Sequence, residues 1–180
     1  MAFDSVIFQW LNSWTGTNSG VDQLIIFRAV YLWYIVMAAV LAIIVISLFP
    51  RFRSHLRKNL ELLLLTAVSA LTARFIIAEL IRFFYSRPRP FEIFENIRQL
   101  VPHDPGASFP SGHASLSFAV AAAVYFYYPK TSILFFLAAL SIGLGRVAAG
   151  VHWPSDVIGG AIVGVGSALT VRMMWKYFKK

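Results

Sequence analysis

Apolar runs long enough to cross a bilayer alternate along this 180-residue chain with short breaks rich in basic residues and proline. Ala29 to Phe49 carries no charged side chain and stops at Pro50. A helix of ~20 residues at ~1.5 Å per residue covers the ~30 Å hydrocarbon core, so this run predicts a first membrane span. Leu60 to Phe84 predicts a second, interrupted by Arg74, Glu79 and Arg82. Ser111 to Tyr128 predicts a third that stops at Pro129-Lys130, Thr131 to Gly145 a fourth, and Asp156 to Trp175 a fifth. Met1 to Asn18 is too short in apolar residues to cross and holds Trp10 and Trp14, the pattern of an amphipathic segment lying in the interface. The expected fold is an all-α integral membrane helical bundle of about five transmembrane helices plus that N-terminal segment. A single domain over residues 1–180 is expected, its motif-bearing part at about 60–175.

Composition agrees with a lipid-embedded chain: 58% of residues are hydrophobic and 13% charged, where a soluble domain carries about a quarter charged. The absence of cysteine excludes disulfides and thiolate metal sites. A net charge of +8 would argue for nucleic-acid binding in a soluble protein. Here the basic residues fall at the ends of apolar runs, so they speak for topology and for an anionic ligand, and no nucleic-acid partner is expected. Asp4 precedes any Lys or Arg, so no basic leader region is evident and the first span is expected to direct insertion. Arg51, Arg53, Arg57 and Lys58 follow the first span, Lys130 joins the third to the fourth, and Lys176, Lys179 and Lys180 end the chain. With an odd number of spans these segments share one side, which the positive-inside rule makes cytoplasmic. The stretch from Phe91 to Phe109 and the turn around His152 then lie on the external side of a cell membrane.

That external side collects the unusual residues. They are Arg82 to Pro90, then Pro110-Ser111-Gly112-His113, then Gly145-Arg146 followed by His152 and Asp156. Arginine presents a planar fork of donors that matches phosphate oxygens in pairs. Arg82, Arg89 and Arg146 at a membrane edge, with only Asp156 inside the motifs to balance them, call for a bound polyanion. Pro110-Ser111-Gly112 leads into an apolar run, as a helix N-terminus does, and adds free N–H donors for an anion. Neutral histidine can attack phosphorus, and protonated histidine can donate to a leaving oxygen. Asp156, four residues after His152, can hold one ring nitrogen and leave the other free. Two histidines and an aspartate could ligate zinc, but three arginines would repel the cation, so no metal and no cofactor are expected.

These three blocks resemble the signature motifs of the type-2 phosphatidic acid phosphatase family, over roughly two-thirds of the chain from Leu60 onward. Two departures stand out: Arg82 occupies a position where the family usually has lysine, and Gly145 one where it usually has serine. The six-residue spacing selects Arg89 over Arg87. The resemblance implies a nucleophilic His152 that forms a phosphohistidine, oriented by Asp156, and His113 as proton donor to the leaving oxygen. It implies that Arg82, Arg89, Arg146, Ser111 and the Gly112 amide hold the phosphate, without a metal. The loop from Phe91 through His103 to His113 is most similar to small bacterial undecaprenyl diphosphatases of the bacitracin-resistance type. Phosphatidylglycerophosphate and lipid A phosphatases share the motifs, and a lipid phosphotransferase could use the same site. The expected partner is a lipid-linked phosphate in a bacterial membrane.

Other polar residues read more simply. Glu79, three residues before Arg82, is placed to pair with and aim it, and Arg74 is expected to pair with another helix. His55 is expected to be solvated, and His103 lies in the loop where a substrate could reach it. Gly160, Gly164 and Ala168 form a small-xxx-small series that lets helices approach closely.

Overall fold

Five helical passes run between two ends of the molecule in the computed structural model, which describes residues 2–179. Met1, the first residue of the expected interfacial segment, and Lys180, counted among the C-terminal basic residues, lie outside the described residues. The regular elements among the described residues are all helical. Helix α1 (Ala2–Asn12) lies at one end. Helix α2 (Ser19–Leu48) then descends, α3 (Pro50–Phe84) returns, and a loop carrying the one-turn α4 (Pro90–Ile93) leads to α5 (Gly112–Tyr125). Helices α6 (Pro129–Ala148) and α7 (Pro154–Phe178) complete the bundle. Proline opens α3, α4, α6 and α7, where its missing N–H leaves no intrahelical bond unmade.

Helices α2, α3, α6 and α7 are long and apolar enough to cross a membrane. The first begins ten residues before the charge-free run, because Asn18 caps it: Asn18 Oδ1 accepts from Gly20 N at 2.7 Å and Val21 N at 3.1 Å. Arg28 interrupts the apolar pattern and not the helix. The buried residues of α2, Ile25, Ala29, Val36, Val40 and Ser47, fall four and seven apart on one stripe. The opposite face shows Tyr34, Ile35, Leu41, Val45 and Leu48 outward, an apolar surface suited to lipid and not to water.

Helix α5 is apolar but has only 14 residues, about 21 Å at ~1.5 Å per residue. It occupies the centre of the bundle, buried from Ala119 through Val124 and packed on α3, α6 and α7. Neighbouring helices therefore supply most of its surroundings. Gly160 and Gly164 of α7 make the close approach possible. A Cβ at Gly160 would stand 2.7 Å from the Ser111 carbonyl oxygen, and one at Gly164 2.3 Å from that of Ser115. The small-residue series is a packing seam, as its spacing implies.

Two stretches of π-helix interrupt the long helices, Phe27–Tyr31 in α2 and Thr72–Ile77 in α3. Such insertions rotate the residues that follow and are frequent beside functional sites. The first packs against Gly145 and the second carries Arg74 over Gly112.

Candidate active site

The three motif blocks converge at the end of the bundle where α3 and α6 finish and α5 and α7 begin. Ser111 N donates to the Asp156 carbonyl at 2.9 Å, tying the start of α5 to the first turn of α7. Arg89 Nη1 donates to the Val151 carbonyl at 2.9 Å and its Nη2 to the Ala107 carbonyl at 3.2 Å. Arg82 Nη2 reaches the Pro110 carbonyl at 2.8 Å. These bonds aim Arg82 and Arg89 toward the start of α5 and the turn before α7.

At its centre, His152 is 2% and Asp156 0% exposed. His152 Nδ1 lies 3.3 Å from Asp156 Oδ2, so a proton on Nδ1 donates to the carboxylate and Nε2 keeps its lone pair. The same Oδ2 accepts from Trp153 N at 2.9 Å. Burial, and after it the charges of Arg146 and Arg89, push His152 well below the ordinary histidine pKa. The imidazole is therefore neutral at neutral pH, as a nucleophile needs to be. His113 sits in the first turn of α5, partly exposed.

The donors around this pair are incompletely satisfied by the protein. Arg82 Nε, Arg89 Nε, Arg146 Nε and Ser111 Oγ are buried and have no hydrogen-bond partner among the described residues. Arg146 is 3% exposed and Arg89 4%, and neither forms an ion pair among the described residues. Burying an uncompensated guanidinium costs several kcal/mol, roughly, so a site that keeps two of them is built for an anion. The free N–H groups of the α5 N-terminus add to that preference.

Glu79 behaves as its spacing implies: its Oε1 accepts from Arg82 Nη1 at 2.9 Å. Arg74, expected to pair with another helix, instead pairs with the same Glu79 oxygen. The two residues are five apart, the repeat of the π-helical stretch that contains Arg74, so the insertion turns it onto the Glu79 face. A Cβ at position 112 would come within 2.5 Å of Arg74 Nε, so glycine there leaves room for Arg74.

Gly145 also has a structural reason. A Cβ at this position would stand 2.8 Å from Arg28 Cβ and 2.9 Å from Ala29 N. The π-helical stretch of α2 fills the space that a serine side chain would need.

Three residues at the site, Arg87, Asp4 and Ser155, carry no clear sequence signal. Arg87 places Nη1 2.9 Å from Asp156 Oδ1 and Nη2 2.7 Å from Asp4 Oδ2. It is the partner of Asp156, which accordingly does not balance the other three arginines. Asp4 and Ser155 complete that cluster, and Asp4 is 83 residues from Arg87 in sequence. His103 brings its ring to 6.2 Å from that of His152. Burial, then the charges of Arg89 and Arg146, lower its pKa as well. An Arg-Pro pair repeated two residues apart was the one hint of a second role for that motif.

An apolar helical bundle that buries a His–Asp pair beneath unpaired arginines defines a membrane enzyme acting on an anionic phosphate group. A family model described as the PAP2 superfamily matches residues 62–180. The chain belongs to that superfamily and is a membrane lipid phosphatase. It is 30% identical over 164 residues to the bacitracin transport permease protein BcrC of Bacillus licheniformis, covering 91% of this chain and 76% of the relative. It is 30% identical over 159 residues to the undecaprenyl-diphosphatase BcrC of Bacillus subtilis, covering 88% and 77%. The crystal structure of Aquifex aeolicus LpxE superposes with a TM-score of 0.71 at 23% identity, covering 96% of each chain. That last likeness speaks for the fold alone.

Proposed function

We propose that this phosphatase converts undecaprenyl diphosphate to undecaprenyl phosphate through a phosphohistidine on His152. In the first step His152 Nε2 attacks the terminal phosphorus. The bond from phosphorus to the bridging oxygen breaks, and His113 gives its proton to the departing lipid monophosphate. In the second step water attacks the phosphohistidine, His113 takes back a proton, and inorganic phosphate leaves. Asp156 holds the His152 ring and offsets the positive charge that develops on it. Arg82, Arg89, Arg146, Ser111 Oγ and the Gly112 amide hold the phosphoryl oxygens and stabilise the pentacoordinate transition state. The observation that carries this reading is the set of buried, unpartnered donors on Arg82, Arg89, Arg146 and Ser111 around a buried His–Asp pair.

The diphosphate is favoured by the chemistry of departure, since a lipid monophosphate leaves more readily than an alkoxide and asks less of His113. The name of the Bacillus subtilis relative supports the same substrate. The test is phosphate release in detergent, with excess chelator, across undecaprenyl diphosphate, phosphatidylglycerophosphate and phosphatidic acid. The expected result is highest kcat/KM on the diphosphate, unaffected by chelator. Preference for a glycerophospholipid would overturn the substrate, and loss of activity restored by zinc or magnesium would overturn the metal-free site. Transfer of the phosphoryl group to a lipid acceptor would make the protein a transferase.

The site is proposed to face the outside of the cell. Arg51, Arg53, Arg57, Lys58, Lys130, Lys176 and Lys179 lie at the opposite end, whereas Glu61 is the one acidic residue there. Positive-inside sorting supports an external site. Asn96 is exposed in the loop at the site end and Ser54 in the turn at the other, and the chain has no cysteine of its own. In intact cells Asn96→Cys should react with an impermeant thiol reagent, and Ser54→Cys only after permeabilisation. The reverse labelling would put the site in the cytoplasm.

A further inference from the structure

Helix α1 is amphipathic, and its two faces meet different surroundings. Phe3, Val6 and Trp10 at its outer side, and Trp14 just past its end, are exposed large apolar residues. Asp4, Phe8 and Asn12, four apart on the other face, reach into the loops that carry the site. Asn12 Nδ2 donates to the Arg98 carbonyl at 2.9 Å and to the Ala148 carbonyl at 2.8 Å, two residues beyond Arg146. Phe8 is fully buried and its ring lies 5.4 Å from that of Trp153, next to His152.

Asp4 makes the most specific of these contacts. Its Oδ1 accepts from Ser155 N at 2.9 Å, and its Oδ2 from Ser155 Oγ at 2.5 Å and Arg87 Nη2 at 2.7 Å. Arg87 Nη1 in turn donates to Ser155 Oγ at 2.6 Å and Asp156 Oδ1 at 2.9 Å. The Arg87 guanidinium also lies over the Trp153 ring at 5.0 Å, and Trp153 Nε1 donates to the Pro88 carbonyl at 3.0 Å. Asp4 and Arg87 side chains are each 13% exposed and Asp156 is fully buried. One guanidinium thus stands between two carboxylates, with a ring beneath it and a hydroxyl at its side. Arg87 has no freedom to leave Asp156 while Asp4 holds its other end.

We infer that Asp4 is a positioning residue for the phosphatase reaction, acting through Arg87 and Ser155 to hold Asp156 against His152, so that α1 is a working part of the site. The inference rests on the proposed roles of His152 and Asp156. With Asp156 Oδ1 fixed by Arg87, its Oδ2 stays aimed at His152 Nδ1, and Nε2 stays aimed at phosphorus. Asp4 touches no reacting atom, and its loss acts on the rate of phosphoryl transfer more than on substrate affinity.

The experiment is a double-mutant cycle on the full chain, with undecaprenyl diphosphate as substrate. Asp4→Asn keeps an acceptor for Ser155 N–H while removing the charge that holds Arg87. It is expected to lower kcat by about tenfold or more with KM within about twofold. In an Asp156→Asn background the same change should cost less than about threefold, because the carboxylate it serves is gone. Arg87→Lys, which can no longer bridge both carboxylates, should show the same dependence on background and serves if Asp4→Asn fails to fold. Unchanged kcat, or an equal loss in both backgrounds, would overturn the positioning role. Activity surviving in His152→Ala would instead overturn the reading on which the role rests.

Discussion

His152→Ala is expected to lower phosphate release by at least about 10⁴-fold, with the folded protein recovered in normal yield. No other side chain at the site can replace it. His103 is close to His152, but its Nδ1 faces the Asp104 carbonyl at 3.1 Å and no carboxylate orients its ring. His113 lacks such a partner too among the described residues. Only the imidazole of His152 combines burial, a neutral state and a fixed Nδ1. The assay is steady-state phosphate release from the diphosphate. Retention of more than about one per cent of the activity would contradict the nucleophile, since the remaining donors alone supply far less acceleration.

Arg146→Met should separate activity from stability. Its guanidinium is buried, and among the described residues it has no carboxylate partner and its Nε no acceptor. Removing one preorganised donor to a developing oxyanion costs about 10²–10³ in kcat. Removing a buried charge that nothing compensates relieves its desolvation penalty, so an apolar side chain of similar volume is expected to leave the fold as stable or more so. kcat/KM should therefore collapse while the Tm in detergent, without substrate, holds or rises. A fall in both would mean that Arg146 serves the fold instead of the phosphate.

Much of this was legible from the pattern of residues, for identifiable reasons. Spans follow from apolar length, since lipid leaves a helix no other choice of backbone bonding. Arg82, Arg89, Arg146, His113, His152 and Asp156 were visible because charged and titratable groups are rare in such a chain. The Glu79–Arg82 pair followed from helical spacing. What sequence spacing could not supply was the local winding. The π-helical stretch in α3 turns Arg74 onto Glu79, and that in α2 leaves no room for a side chain at Gly145, where the family resemblance implied serine. Asp4 was hidden for a different reason: its partners are fixed only when α1 folds back over the start of α7. An amphipathic N-terminus announces contact with lipid and says nothing of what its polar face holds.

The most direct measurement is the site of covalent phosphate. Enzyme mixed with diphosphate labelled at its terminal phosphorus, quenched in base within a turnover and digested with trypsin, should carry label on one peptide. Cleavage after Arg146 and Arg172 releases Val147 to Arg172, in which His152 is the single histidine. Acid-labile label is expected on that peptide and none in His152→Ala. Label on Gln99 to Lys130, which holds His103 and His113, or no covalent phosphate at all under conditions of full turnover, would contradict it.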